Sequence, residues 1–153
     1  MAKALVVYFT VTGHTKKAAE DIGKGMENKG IEVSIKSVVD FSQKDVEPVE
    51  IVVFGSPTHL SRPATKIKEA MEKLDERSLK GKWVSAFTCM AIRGGDKVLK
   101  SLEEMLKEKG AENFIPGVVI HAGALLSLVK GRDASPEDVE KCEKLGESLA
   151  SKC

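Results

Sequence analysis

Residues 4–15 read Ala4-Leu5-Val6-Val7-Tyr8-Phe9-Thr10-Val11-Thr12-Gly13-His14-Thr15. The first half is a nearly continuous apolar, β-branched run, the pattern of a strand covered on both faces as in a parallel sheet. The second half packs three threonines and a glycine into a short turn. Immediately afterwards Ala18, Ala19, Ile22 and Met26 recur at helical spacing and Gly30 supplies a stop, so residues 15–29 read as an amphipathic helix. A buried strand running through a hydroxyl-rich turn into a helix opens a βαβ unit and sets the fold class.

Working outward, four further runs share the strand pattern: residues 31–38, 51–55, 83–88 and 115–121. In the second, Val33, Ile35 and Ser37 point one way and Glu32, Ser34 and Lys36 the other, as expected of an edge strand. Helical stripes fill the gaps. Ile67, Ala70, Met71 and Leu74 mark residues 64–74, and Leu99, Leu102 and Leu106 mark 96–109, which Gly110 stops. Ser135-Pro136-Glu137-Asp138 opens the last helix with a capping serine, a first-turn proline and first-turn acids. Val139, Cys142, Leu145 and Leu149 give it a buried stripe. Residues 39–50 show no helical face, so the second connection is short or non-helical. Strand–helix alternation with right-handed crossovers predicts one α/β domain over 1–153. The expected form is a three-layer sandwich around a five-stranded parallel sheet in the order 2-1-3-4-5, with helices on both faces.

Composition narrows the function classes. The 153 residues are 42% hydrophobic and 31% charged, with 5 prolines, the profile of an ordered globule with one core. Basic and acidic residues number 24 and 23, and no basic tract stands out, so nucleic acid is not an expected partner. The apolar run behind Met1-Ala2-Lys3 is too short for a signal peptide or a membrane span, and no membrane association is expected. Three cysteines, Cys89, Cys142 and Cys153, without Cys-x-x-Cys spacing, fit reduced thiols in the cytoplasm better than a disulfide framework or a zinc site. No metal site is expected.

In an open parallel sheet, ligands bind beyond the carboxyl ends of the strands at the switch point. The first loop there is Thr10-Val11-Thr12-Gly13-His14-Thr15. Hydroxyls and exposed N–H groups converge on a helix N-terminus, which suits a dianionic phosphate without a lysine. Walker A and Gly-x-Gly-x-x-Gly patterns are both absent, so one phosphate monoester is expected rather than a pyrophosphate. The plain alternative is that Thr12 or Thr15 only caps the helix. Thr-x-Thr-Gly-x-Thr after a first strand resembles the phosphate loop of the flavodoxin family, and Thr10–Thr15 matches it at every fixed position. The resemblance covers essentially the whole chain and is to the short-chain form. It implies FMN as cofactor, with Thr10, Thr12 and Thr15 bonding its phosphate and N–H groups from Val11, Gly13 and His14 through Thr15 completing the cradle.

Two more loops stand at the same end. Gly55-Ser56-Pro57-Thr58-His59-Leu60-Ser61-Arg62-Pro63 resembles the flavin-contacting loop of flavodoxin-like proteins, including some quinone reductases. The resemblance puts Ser56, Pro57 and Thr58 at the flavin and His59 and Leu60 against one ring face, in a loop stiffened by its prolines. His59 as a solvent-exposed loop residue is the alternative. Arg62 faces the ring edge, a partner, or only solvent. In Thr88-Cys89-Met90-Ala91-Ile92-Arg93-Gly94-Gly95-Asp96 the resemblance implies flavin contacts from Thr88, Cys89, Met90, Gly94 and Gly95, with the glycines admitting the ring. Asp96 reads as the cap of the third helix. Cys89 reads as a buried, inert thiol.

The resemblance also exposes departures. Neither ring-facing loop holds an aromatic residue, since Trp83 and Tyr8 lie inside strands, so His59, Leu60, Met90 or Ile92 must cover the ring. No glycine stands between Ser56 and Pro63. Flavodoxins are commonly strongly acidic, whereas this chain carries a formal +1, so long-range steering is weak. The expected function is electron transfer through FMN to redox partner proteins, by a monomer or weak homodimer. The alternative is an NAD(P)H-dependent FMN or quinone oxidoreductase of the same superfamily. A phospho-receiver is disfavoured because the strand ends lack its aspartates.

Overall fold

The computed structural model describes residues 2–59, 61–91, 93–122 and 134–153. Its elements run β1 (Lys3–Tyr8), α1 (His14–Glu27), β2 (Glu32–Ser37), a 3₁₀ turn (Gln43–Asp45), β3 (Ile51–His59), β4 (Arg62–Pro63), α2 (Thr65–Glu72), β5 (Trp83–Cys89), α3 (Gly95–Glu108), β6 (Asn113–Phe114), β7 (Val118–Ile120) and α4 (Pro136–Ala150). The main path of the sheet is β2-β1-β3-β5-β6. Numbering only the five strands foreseen, that is the 2-1-3-4-5 order. β1 pairs in parallel with β2 and β3, and β3 with β5. The switch point therefore lies between β1 and β3, where the chain turns from building one side of the sheet to building the other.

The period-2 geometry of a strand sorts the core into two halves. Ala4 and Val6 of β1, with Ile51 and Val53 of β3, pack against Ile22 and Met26 of α1 and Leu145 and Leu149 of α4. Leu5 and Val7, with Val52 and Phe54, pack against Ile67 and Met71 of α2 and Leu102 and Leu106 of α3. The sheet is thus covered on both faces, which is why its central strands read as unbroken apolar runs. β2 pairs only with β1, as its alternating pattern foretold.

Two strands differ from the sequence expectation. The run 115–121 is strand only over β7; β6 lies just before it, and residues 115–117 interrupt the edge between the two. Val84 pairs with Phe114 and Phe87 with Val118, so the last strand carries one residue more than its partner over that stretch. Pro116 has no N–H to give, and Gly117 lies so close to the Ala86 carbonyl that a Cβ there would overlap it. The buried Ser85 hydroxyl donates to the Ile115 carbonyl at the interruption, 2.9 Å away.

The second difference is β3. Residues 55–59, read as loop, continue the strand to His59, and β4 returns antiparallel, pairing Thr58 with Pro63 and His59 with Arg62. The two arms fold back on each other, and Ser61, just before the returning arm, lies in the left-handed region, φ 63. Proline usually argues against a strand. Here Pro57 pairs with Cys89 at the strand's carboxyl end and Pro63 lies on the returning arm, where a missing donor costs little.

Candidate functional site

The first loop leaves β1 and enters α1 through Gly13, whose left-handed backbone (φ 94, ψ −9) makes the N-cap. Gly13 has no side chain to cap with, and neither Thr12 nor Thr15 caps α1; no side-chain bond closes its first turn and no acid stands there. The first N–H groups of a helix have no intrahelical partner, so they present partial positive charge to whatever sits before them. A Cβ built on Gly13 would meet no atom within 4 Å, so the space beside the turn is open. Thr10 Oγ1 accepts the Gly13 N–H at 2.9 Å, which shapes the loop and leaves the Thr10 O–H free to donate outward. Thr12 is exposed and its hydroxyl lies 2.6 Å from His14 Nδ1. Val11 is exposed at 53%.

Thr15 behaves differently from the other two threonines. It is buried, and its hydroxyl shares a hydrogen bond with the sulfur of Cys89 on β5. Burial pushes the Cys89 thiol up to about 12, against which the Thr15 bond is a smaller, opposing effect. Cys89 is therefore a neutral thiol beneath the loop, as the sequence reading held. Lys17, in the first turns of α1, is committed to the buried Asp21, with Nζ and Oδ1 2.5 Å apart.

The second loop contributes a stiff floor. Ser56 is buried; its hydroxyl accepts the Ala64 N–H at 2.8 Å and donates to the Pro57 carbonyl, tying the hairpin to the start of α2. Thr88, also buried, donates its one proton to the Ser56 carbonyl at 2.6 Å. Its contact with Thr58 Oγ1 at 2.8 Å then makes Thr58 the donor. These hydroxyls lock β3 to β5. His59 is exposed at the strand's end. Leu60 and Ile92 lie outside the described residues.

The third loop is fastened on both sides. The Met90 N–H donates to the Ile120 carbonyl at 2.9 Å. Gly94, at φ 95, is the N-cap of α3, so Asp96 sits inside the first turn and does not cap it. The reason is that the left-handed glycine already turns the chain into the helix. A Cβ on Gly94 would overlap the Ser61 hydroxyl and lie 2.9 Å from Ser61 Cα; one on Gly95 would lie 2.6 Å from Val119. The missing side chains of both glycines are thus filled by protein. No local pattern signals the Ser61–Gly94 contact, which needs two loops to meet in space. Asp138 was read only as a first-turn acid of α4. It is buried, and its Oδ2 also accepts from the His121 N–H (3.3 Å) and the Ser135 hydroxyl (3.2 Å), joining the exit of β7 to α4.

The three loops thus gather at the carboxyl end of the sheet, beside the switch point, with the one open, donor-rich turn on α1. The flavodoxin family model matches residues 6–146, from within β1 to within α4 and through all three loops. The chain belongs to the flavodoxin family. The flavodoxin of Aquifex aeolicus is 32% identical to it over 161 aligned residues, covering 98% of this chain and 86% of that one. A more distant likeness links it to the NAD(P)H dehydrogenase (quinone) of Sinorhizobium fredii, 29% identical over 62% of this chain and 60% of that one. In three dimensions it resembles a flavodoxin from the domain Archaea, with a TM-score of 0.79 at 23% identity over 98% of this chain and 97% of that one, a likeness of fold.

FMN is the family's cofactor, and the geometry of the first loop fits its phosphate. A helix N-terminus without side-chain cap or acid, open space at Gly13 and a Thr10 hydroxyl whose proton the Gly13 bond does not use suit a phosphate dianion. Among the described residues no group of His, Cys, Asp and Glu has the arrangement of a metal site, and no helix is long and apolar enough to cross a membrane.

Proposed function

We propose that Thr10, Val11, Thr12, Gly13, His14 and Thr15 hold the FMN phosphate and that the hairpin and the β5–α3 turn flank its ring, with His59 and Met90 nearest to it. The protein is a flavodoxin, an FMN-binding electron-transfer protein. The observation that carries the site assignment is the uncapped, acid-free start of α1 at Gly13. FMN, when bound, supplies the electron chemistry. The chain's part is to bind, orient and shield. The first turn of α1 and the Thr10 and Thr12 hydroxyls neutralise and fix the phosphate. The hydroxyl chain from buried Ser56 and Thr88 to half-buried Thr58 keeps the two flanking segments in register. Ser56, Thr88, Cys89, Gly94 and Gly95 act beneath or between the loops through packing and hydrogen bonds, and Thr15 supports the loop from inside. We assign the whole of 1–153 to one domain working in the cytoplasm.

Purified protein tests this directly. A yellow sample that releases FMN on denaturation, or an apoprotein that takes up FMN with a flavin absorbance change, supports the assignment. A colourless protein that cannot be reconstituted overturns it. The absence of aromatic residues from both flanking segments favours a second reading, an NAD(P)H-dependent oxidoreductase with an open ring face. Flavin bleaching within seconds of mixing with NAD(P)H selects that reading over the pure carrier.

A further inference from the structure

The hairpin after β3 and the turn before α3 meet at one point, Ser61 against Gly94. Among the described non-glycine residues Ser61 alone has positive φ, and it holds the hairpin tip against the second turn. Arg62 follows Ser61 and Arg93 precedes Gly94. Adjacent Cα atoms are 3.8 Å apart, so the contact keeps the Arg62 and Arg93 Cα atoms within about 12 Å of each other. Both arginines are exposed, and neither joins an ion pair among the described residues. The two segments that meet, residues 59–66 and 89–96, carry Arg62, Lys66 and Arg93 against a single acid, Asp96, and Lys66 pairs with Glu69 on its own helix, which leaves the two arginines as the unpaired cations among the described residues of these segments.

We infer that Arg62 and Arg93 form a docking point for a carboxylate-rich patch on an acidic redox protein. The inference rests on the proposed placement of the flavin between these two segments. Guanidinium groups bind carboxylates bidentately and shed water more readily than ammonium groups, which suits them to an interface. Long-range steering is weak in a chain of formal charge +1, so recognition falls to this local pair. Val11, 53% exposed in the first loop at the same end of the sheet, offers an apolar side chain to the same face. The polarity is the reverse of an acidic carrier docking on a basic partner.

The test measures binding of the protein, with and without FMN, to immobilised cytochrome b5 as an acidic probe and cytochrome c as a basic one. The wild type is expected to prefer cytochrome b5 and to lose about tenfold in affinity from low to physiological salt. R62E/R93E is expected to weaken that binding about tenfold or more, and R77E/K80E, the same charge change at the opposite end, to alter it less than about twofold. Preference for cytochrome c, or equal effects of the two variants, overturns the inference. So does R62E/R93E leaving cytochrome b5 binding unchanged while slowing reduction by NADPH, which would make the arginines a dinucleotide-phosphate site. Binding to cytochrome b5 is read without FMN as well, so failure of flavin uptake would count against the proposed function and leave the docking result standing.

Discussion

Gly13 joins two requirements at one residue. Its left-handed backbone begins α1, and its lack of a side chain leaves the helix N-terminus bare. A Gly13→Ala substitution would meet no atom, so its cost is backbone strain alone, about 1–2 kcal/mol. Chemical denaturation is expected to show that loss, together with weaker FMN binding as the loop relaxes. A Thr12→Val substitution removes a hydroxyl without touching the core. It is expected to weaken FMN about tenfold or more, since a hydrogen bond to a charged group contributes roughly 1.5–3 kcal/mol. Fluorescence titration with FMN reads the change, and an unaltered affinity would mean Thr12 does not face the phosphate. Cys89 and Cys142 are both buried and both have thiols pushed up to about 12 by desolvation, while Cys153 is exposed. Native protein at pH 8 is expected to give one rapidly reacting thiol with a disulfide reagent, and three after denaturation.

At the scale of elements, α1 and α4 lie side by side and touch through glycine. A Cβ on Gly25 would overlap the Glu143 carbonyl, and one on Gly146 the Ile22 carbonyl. These reciprocal gaps let the two helices approach backbone to backbone, which fixes α4 over the strand ends that carry Cys89 and the first loop. Gly146→Ala must push the helices apart, and overpacking of this kind costs about 1–3 kcal/mol. Urea denaturation is expected to show that loss although alanine favours helix. The start of α4 is held by Ser135, whose hydroxyl accepts the Asp138 N–H at 3.2 Å. The hairpin of β3 and β4 and the turn into α3 are each tight, and their contact at Ser61 and Gly94 makes one rim of two loops.

For the molecule as a whole, anything that binds only the folded state stabilises it. FMN at about a hundred times its dissociation constant is expected to add about 2.7 kcal/mol, which for a domain of this size raises Tm by roughly 5–10 °C. Scanning calorimetry with and without FMN measures it. The cysteines set an alkaline limit. Their folded values lie near 12, above the ordinary 9.0, so the unfolded chain releases these protons first as pH rises. Stability is therefore undiminished by them below about pH 9 and falls between 9 and 12. Replacing Cys142 by alanine should flatten that decline in denaturation curves taken across the window.

The sequence by itself determined the layers, the parallel strands, the edge position of β2 and the strand–turn–helix junction at Thr10–Thr15. Those features depend on local periodicity and on a strand–turn–helix junction, and neighbouring residues carry all of that information. The stripe of α1 is buried as read, and in α3 Val98 joins the expected Leu102 and Leu106 in full burial, with Leu99 half-buried against the same core. The hairpin at 58–63 was hidden because proline argues locally against strand, whereas pairing with a partner distant in sequence decides it; at 115–117 the apolar run masked the interruption that Pro116 and the close approach of Gly117 to Ala86 impose. Only the tertiary structure turned Thr15 inward to Cys89, buried Ser56 and Thr88, filled the glycines of the third loop with Ser61 and Val119, and brought the segments of Arg62 and Arg93 together at Ser61 and Gly94. Each of these depends on two segments meeting after the chain has crossed the sheet, and no spacing along one segment encodes where the other will lie.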